Sequence, residues 1–169
     1  MSLFSFLARK TFALAVVFCL STALSFTGCK TESEHEPGSE NTGFVLEGVW
    51  TSPYDSYVIT KTTVAYIMDN SSWGSDDGIV KGSIEEAVRF SNNAGVLIIK
   101  VTEAEFMGNT VGYFTGVYYC DGTETSIKIA NAFNADFTPV ETSTLADAKS
   151  TFTVDHADNH VTMYGSYKR

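Results

Sequence analysis

Residues 79–90 read Ile79-Val80-Lys81-Gly82-Ser83-Ile84-Glu85-Glu86-Ala87-Val88-Arg89-Phe90, and their period decides the fold class. Val80, Gly82, Ile84, Glu86, Val88 and Phe90 fall on one parity. Ile79, Lys81, Ser83, Glu85, Ala87 and Arg89 fall on the other. Successive side chains of an extended chain point to opposite faces, so this alternation marks a strand. Ser91-Asn92-Asn93-Ala94-Gly95 then interrupts with hairpin chemistry, and apolar residues resume at once.

The same period recurs on both sides of this stretch. Val64, Tyr66 and Met68 alternate with Thr63, Ala65 and Ile67. Val111, Tyr113, Thr115, Val117 and Tyr119 oppose Gly112, Phe114, Gly116, Tyr118 and Cys120. Val, Ile, Thr and aromatic residues in alternation predict strands near 47–52, 55–61, 63–69, 79–91, 95–103, 111–120, 124–133 and 160–168. Short links at Thr60-Lys61-Thr62 and Asp121-Gly122-Thr123 make consecutive strands antiparallel neighbours. The predicted fold is all-β, an antiparallel meander of about eight strands closed into a small barrel. Closure removes the edges that would otherwise template aggregation.

One short helix is predicted before the last strand, over 144–151. Thr142-Ser143-Thr144 offers caps there, and Leu145, Ala146, Ala148 and Phe152 follow at helical spacing. Glu103-Ala104-Glu105-Phe106-Met107 reads as a further helical turn. Asp155-His156-Ala157-Asp158-Asn159-His160 reads as turn chemistry. On a helix its two imidazoles, four apart, could build a metal site; in a turn they need not converge, and no metal is expected.

At the N-terminus, Arg9 and Lys10 precede an uncharged run from Thr11 to Gly28 that includes Phe12, Leu14, Val16, Val17, Phe18 and Leu20. A basic stretch, an apolar run and small residues before a cut describe a secretory signal. Its close, Phe26-Thr27-Gly28-Cys29, resembles the lipobox of bacterial lipoproteins, although Phe26 stands where that family usually has Leu. The resemblance implies removal of residues 1–28 and lipidation of Cys29 as the new first residue. Two or three acyl chains would make the attachment effectively permanent. Lys30, rather than Asp, follows the Cys, which leans toward the outer membrane of a cell envelope, with either face open. Two alternatives stand beside this: cleavage by ordinary signal peptidase, or a retained anchor. A spanning helix needs about 20 apolar residues, and this run is broken by Ser21, Thr22, Ser25 and Thr27.

Residues 29–42 read as a flexible acidic tether, because Lys30 to Thr42 holds no large apolar side chain and is rich in Glu and Ser. Its root-mean-square reach would be about 20 Å. His35 within it reads as a solvated tether residue. The barrel domain is assigned to 43–169. The chain of 169 residues carries 11 basic and 20 acidic side chains, a net charge of −9. Removing 28 residues, Arg9 and Lys10 among them, leaves 141 residues and −11. That length supports one domain with a real core. The charge argues against nucleic acid as a partner and against a broad electrostatic dock on anionic membrane. With Cys19 removed and Cys29 acylated, Cys120 would be alone, a buried small hydrophobe with no internal disulfide.

Gly48-Val49-Trp50 opens the first strand, and Tyr167-Lys168-Arg169 follows the last strand pattern. This resembles the lipocalin arrangement, in which a G-x-W motif begins an eight-stranded barrel. The resemblance implies that Arg169 packs over Trp50, a cation–π pairing that helps close the barrel, and that Gly48 lets the backbone turn in. The family's second motif and its disulfide are missing, and the helix precedes the last strand instead of following it. The resemblance covers most of 44–169 and implies a fold, not an activity.

Candidate binding residues are few. Tyr66, Tyr113 and Tyr119 could line a ligand cavity, and Glu86, sharing parity with Ile84 and Val88, could point inward with a raised pKa. Trp73 sits in the polar loop Asp69–Gly78, where an aromatic could grip a ligand or cover the barrel mouth. That loop is rich in oxygen donors but lacks the spacing of a Ca²⁺ loop. No G-x-S-x-G, no H-E-x-x-H and no phosphate loop is present, so neither an enzyme nor a cofactor is expected. Two readings remain. One is a lipid-anchored envelope barrel holding a small apolar or amphipathic ligand. The other is a solid barrel whose loops contact an envelope or host protein. An apolar interior cavity of roughly 300 Å³ would separate them.

Overall fold

The computed structural model describes residues 45–69, 78–105, 108–160 and 164–169. Its strands are β1 (Gly48–Thr51), β2 (Asp55–Ile59), β3 (Thr63–Met68), β4 (Gly78–Ser91), β5 (Ala94–Ala104), β6 (Phe114–Cys120), β7 (Ser126–Asn131) and β8 (Gly165–Lys168). Each pairs antiparallel with the next, and β8 returns to β1 through Thr51 and Lys168 to close the barrel. The Thr51 hydroxyl donates to the Lys168 carbonyl at 3.2 Å across that seam.

Two helices, α1 (Leu145–Thr151) and α2 (Val154–His160), lie between β7 and β8. The Thr144 hydroxyl caps α1 by accepting from the Asp147 amide. Thr153 does the same for α2 through the His156 amide at 3.4 Å. The predicted single helix is therefore a pair, and residues 155–160 are helical where a turn was expected. β8 starts at Gly165, not at 160. Residues 103 and 104 extend β5 instead of starting a helical turn, and 106–107 lie outside the described residues.

The helices explain why β5 and β6 are buried on both faces. Leu97, Ile99, Val117 and Tyr119 face into the barrel with Trp50, Tyr57, Ile59, Val64 and Ile129. Their neighbours Val96, Ile98, Phe114 and Tyr118 face outward and pack under Ala148, Phe152 and Ala157. Gly116 makes room for this second core: a Cβ there would sit 2.8 Å from the Phe152 ring.

β4 is irregular at one decisive place. Ile84 pairs with Ile99, but Glu86 pairs with Ile98, leaving Glu85 as the extra residue of a bulge. One added residue inverts the parity of everything after it. Val80, Gly82 and Ile84 belong to the inner face, whereas Glu86, Val88 and Phe90 turn outward and Ala87 and Arg89 turn inward.

Candidate functional site

The alternation of strand direction defines two ends. The connections after β1, β3, β5 and β7 lie at one, the loop end. Residues 45–47 enter at the other, beside the turns after β2, β4 and β6.

The entry end is closed by Trp50 and Arg169. The guanidinium carbon of Arg169 lies 4.8 Å from the centre of the Trp50 ring. Arg169 also donates to the Val45 carbonyl at 3.1 Å and to the Glu47 carbonyl. The indole N–H of Trp50 donates to the Leu46 carbonyl at 2.8 Å. Gly48 has φ +148°, and a Cβ on it would meet Arg169 Nη2 at 2.8 Å, so the position has neither the conformation nor the room for a side chain.

Beneath the loop end is a phenol–carboxylate network. Tyr66 and Tyr167 each donate to Asp55 Oδ2 at 2.9 Å, and Ser52 Oγ donates to Asp55 Oδ1. Tyr57 donates to the Tyr167 hydroxyl in turn. The Tyr57 ring packs 4.8 Å from Tyr66 and 5.1 Å, edge-on, from Tyr167. Burial raises the pKa of all three phenols above 10.0, and the Asp55 charge adds to this. They are therefore neutral donors across the physiological range. Each phenol has a partner, so the network reads as a satisfied core and offers no activated nucleophile.

The space left inside the barrel is small. Among the described residues, the space beside Tyr66, Ile99 and Val117, under Asn109, Phe133 and Pro139, amounts to about 10 Å³. That is room for about one water molecule.

The sequence-selected residues fall in different places. Tyr66 and Tyr119 are in the inner core, but Tyr113 precedes β6, sits in a turn and is 41 % exposed, so the three do not line one cavity. Glu86 does not point inward. The bulge puts it outside, where its carboxylate meets Lys149 of α1 at 2.6 Å. His156 is packed against the Tyr118 and Phe152 rings in the outer core. Among the described residues no three His, Cys, Asp or Glu side chains converge on a metal position. Trp73, Cys29 and His35 lie outside the described residues. Cys120 corrects an expectation: it is disulfide-bonded, not a lone thiol, and no other cysteine falls among the described residues.

Reasoning from sequence missed two features. Asp55 fell at the start of a predicted strand with no role assigned, and only the fold brings two phenols from β3 and β8 onto it. A recess at the entry end, between residues 45–47 and the end of β4, was also not visible, because the bulge creates its wall. These features define a class, a closed eight-stranded barrel with a helical layer on one side. Comparison with family models, curated proteins and solved structures yields no match for this chain.

Proposed function

We propose that this protein is a lipid-anchored module of the cell envelope whose barrel acts through its surface, contacting a protein partner with its loop end. The small size of the space beside Tyr66 and Val117 supports this reading over an interior ligand. About 10 Å³ of enclosed space is far below the roughly 300 Å³ of small-molecule sites. Most exposed large apolar side chains among the described residues favour the loop end as the contact, Val45 and Val49 being the exceptions. Tyr54, Val111, Tyr113 and Phe137, exposed by 41–71 %, all sit on connections at that end. Aromatic residues on loops held by a rigid scaffold are the usual material of protein contacts. The chain enters at the opposite end, so a tether would hold these loops away from the bilayer.

The anchor rests on the sequence: the basic pair, the apolar run and Phe26-Thr27-Gly28-Cys29. Intact mass of the protein purified from its own membranes without reductant decides it. The expected species is residues 29–169 with added acyl mass. A chain lacking acyl mass, or one retaining residues 1–28, would overturn the anchor. The contact surface is tested separately by photo-crosslinking in the native envelope. A probe at Tyr113 or Phe137 should give a discrete protein adduct that a probe at Lys100 does not. Equal labelling from all three positions would sink the loop-end assignment.

A further inference from the structure

The entry end carries a recess of about 280 Å³. Its apolar wall is formed by Leu46, Ile59 and Leu97, with Ile59 and Leu97 each 3 % exposed. Glu47, Lys61, Arg89 and Tyr119 also line it. The bulge at Glu85 puts Arg89 there, since without it this residue would have the outward parity. Gly95, paired with Arg89, leaves space for the Tyr119 hydroxyl, which a Cβ would approach to 2.6 Å. The Arg89 charge opposes the rise that burial imposes on the Tyr119 pKa, which places the guanidinium near the phenol.

The recess brings two cations together. Among the described residues the ion pairs are Lys81–Glu103, Lys128–Asp121 and Lys149–Glu86. Neither Lys61 nor Arg89 belongs to them, although acidic side chains outnumber basic ones in this chain, 20 to 11. Two cations outside these ion pairs thus border a recess of mixed apolar and polar lining, which also includes Glu47. An acyl chain ending in an anion has the complementary layout. The volume lies just below the range of drug-sized ligand sites, roughly 300–1,000 Å³, which suits one medium-length chain and not a two-chain lipid.

We infer that the entry-end recess binds a medium-chain carboxylate, its chain against Leu46, Ile59 and Leu97 and its head between Lys61 and Arg89. The site is distinct from the loop-end contact, and the inference holds whether or not Cys29 is acylated.

Isothermal titration of the purified full mature chain with decanoate, kept below micelle formation, tests it. Saturable binding of one decanoate is expected, with decanol at least tenfold weaker. Arg89→Gln and Lys61→Gln should each weaken decanoate binding at least tenfold, while Lys100→Gln leaves it unchanged. Both recess side chains are exposed, so the variants should fold; thermal melts check this. Should a variant not fold, NMR contacts from the decanoate chain to Ile59 and Leu97 methyls, and not to Val64 or Val117, decide instead. No saturable binding, equal affinity for decanol, wild-type affinity in a folded Arg89→Gln, or contacts at the other methyls would each overturn the inference.

Discussion

Arg169 covers the Trp50 ring at 4.8 Å while donating to the carbonyls of Val45 and Glu47, so one side chain joins the last strand to the strap before the first. An exposed cation–π contact contributes about 0.5–1 kcal/mol, and a hydrogen bond from a charged group about 1.5–3 kcal/mol. Exposure of Arg169 keeps the total toward the lower figures. Arg169→Ala should therefore lower unfolding free energy by about 1–3 kcal/mol in urea titrations, with Arg169→Lys intermediate. Gly48→Ala should also destabilise, because φ +148° and the 2.8 Å approach of Nη2 both oppose a Cβ. Its cost should shrink, without vanishing, in the Arg169→Ala background, where the clash is gone and the backbone strain stays. Simple additivity would show that the two residues do not act as a unit.

The phenol network sets an alkaline limit on stability. Tyr57, Tyr66 and Tyr167 have folded pKa values raised above 10.0 by burial and by Asp55. Tyr118, in the outer core, is raised by burial and by Tyr164. A raised phenol pKa means the unfolded chain loses its proton first, so the contribution is complete below about pH 10 and is lost above it. Each such tyrosine should steepen the decline by about 1.4 kcal/mol per pH unit. Urea midpoints followed upward from neutral pH should hold as far as tyrosines are concerned, then fall above about pH 10. Phenolate absorbance should rise together with unfolding. Phenolate appearing while the barrel is still folded would contradict the burial of these rings. Tyr66→Phe and Tyr167→Phe should each shallow the alkaline limb.

Much of the barrel is legible in residue pattern because strand burial has period two. The hairpins at 91–95 and 121–123 carry recognisable turn residues, and Thr142-Ser143-Thr144 ahead of Leu145 announces α1. Glu86 was misread for a physical reason. Parity counts residues along a regular strand, and a bulge adds one without a compositional mark, so Ile84 and Val88 looked alike and face opposite ways. α2 was missed because Asp, His and Asn are weak helix formers. Burial of Ala157 and His156 against the outer face of β6 overrides that preference. Tyr113 failed similarly: Val111 and Tyr113 alternate correctly with β6, but Gly112 at φ +91° turns the chain before the strand begins. The Asp55 network joins β2, β3 and β8, and no local pattern encodes contacts that distant.

Glu86 itself gives a discriminating test of surface against site. Its ion pair with Lys149 is short, 2.6 Å, yet both side chains are substantially exposed, at 35 % and 47 %. Pairs of this kind contribute about 0–1 kcal/mol and weaken in salt. Glu86→Gln should cost under about 1 kcal/mol at low ionic strength and almost nothing in high salt. A larger, salt-independent loss would mean that the carboxylate has a buried role after all.

Gly116 tests whether the helical layer is part of one cooperative core or merely rests on the barrel. It lies in β6 where that strand faces Phe152, and an added Cβ would come within 2.8 Å of the ring. Phe152 is 1 % exposed and caps α1 through its amide to the Ala148 carbonyl at 2.8 Å, so it has little freedom to withdraw. Overpacking of this kind costs about 1–3 kcal/mol. Gly116→Ala should lower stability by that amount in a single transition. Phe152→Leu should recover part of the loss in the double variant by vacating the ring position, although alone it costs packing. If Gly116→Ala instead released α1 and α2 as a separate early transition with the barrel intact, the outer core would be an appendage. The burial of β5 and β6 on both faces argues against that outcome, since losing the helices would bare Val96, Ile98 and Tyr118 together.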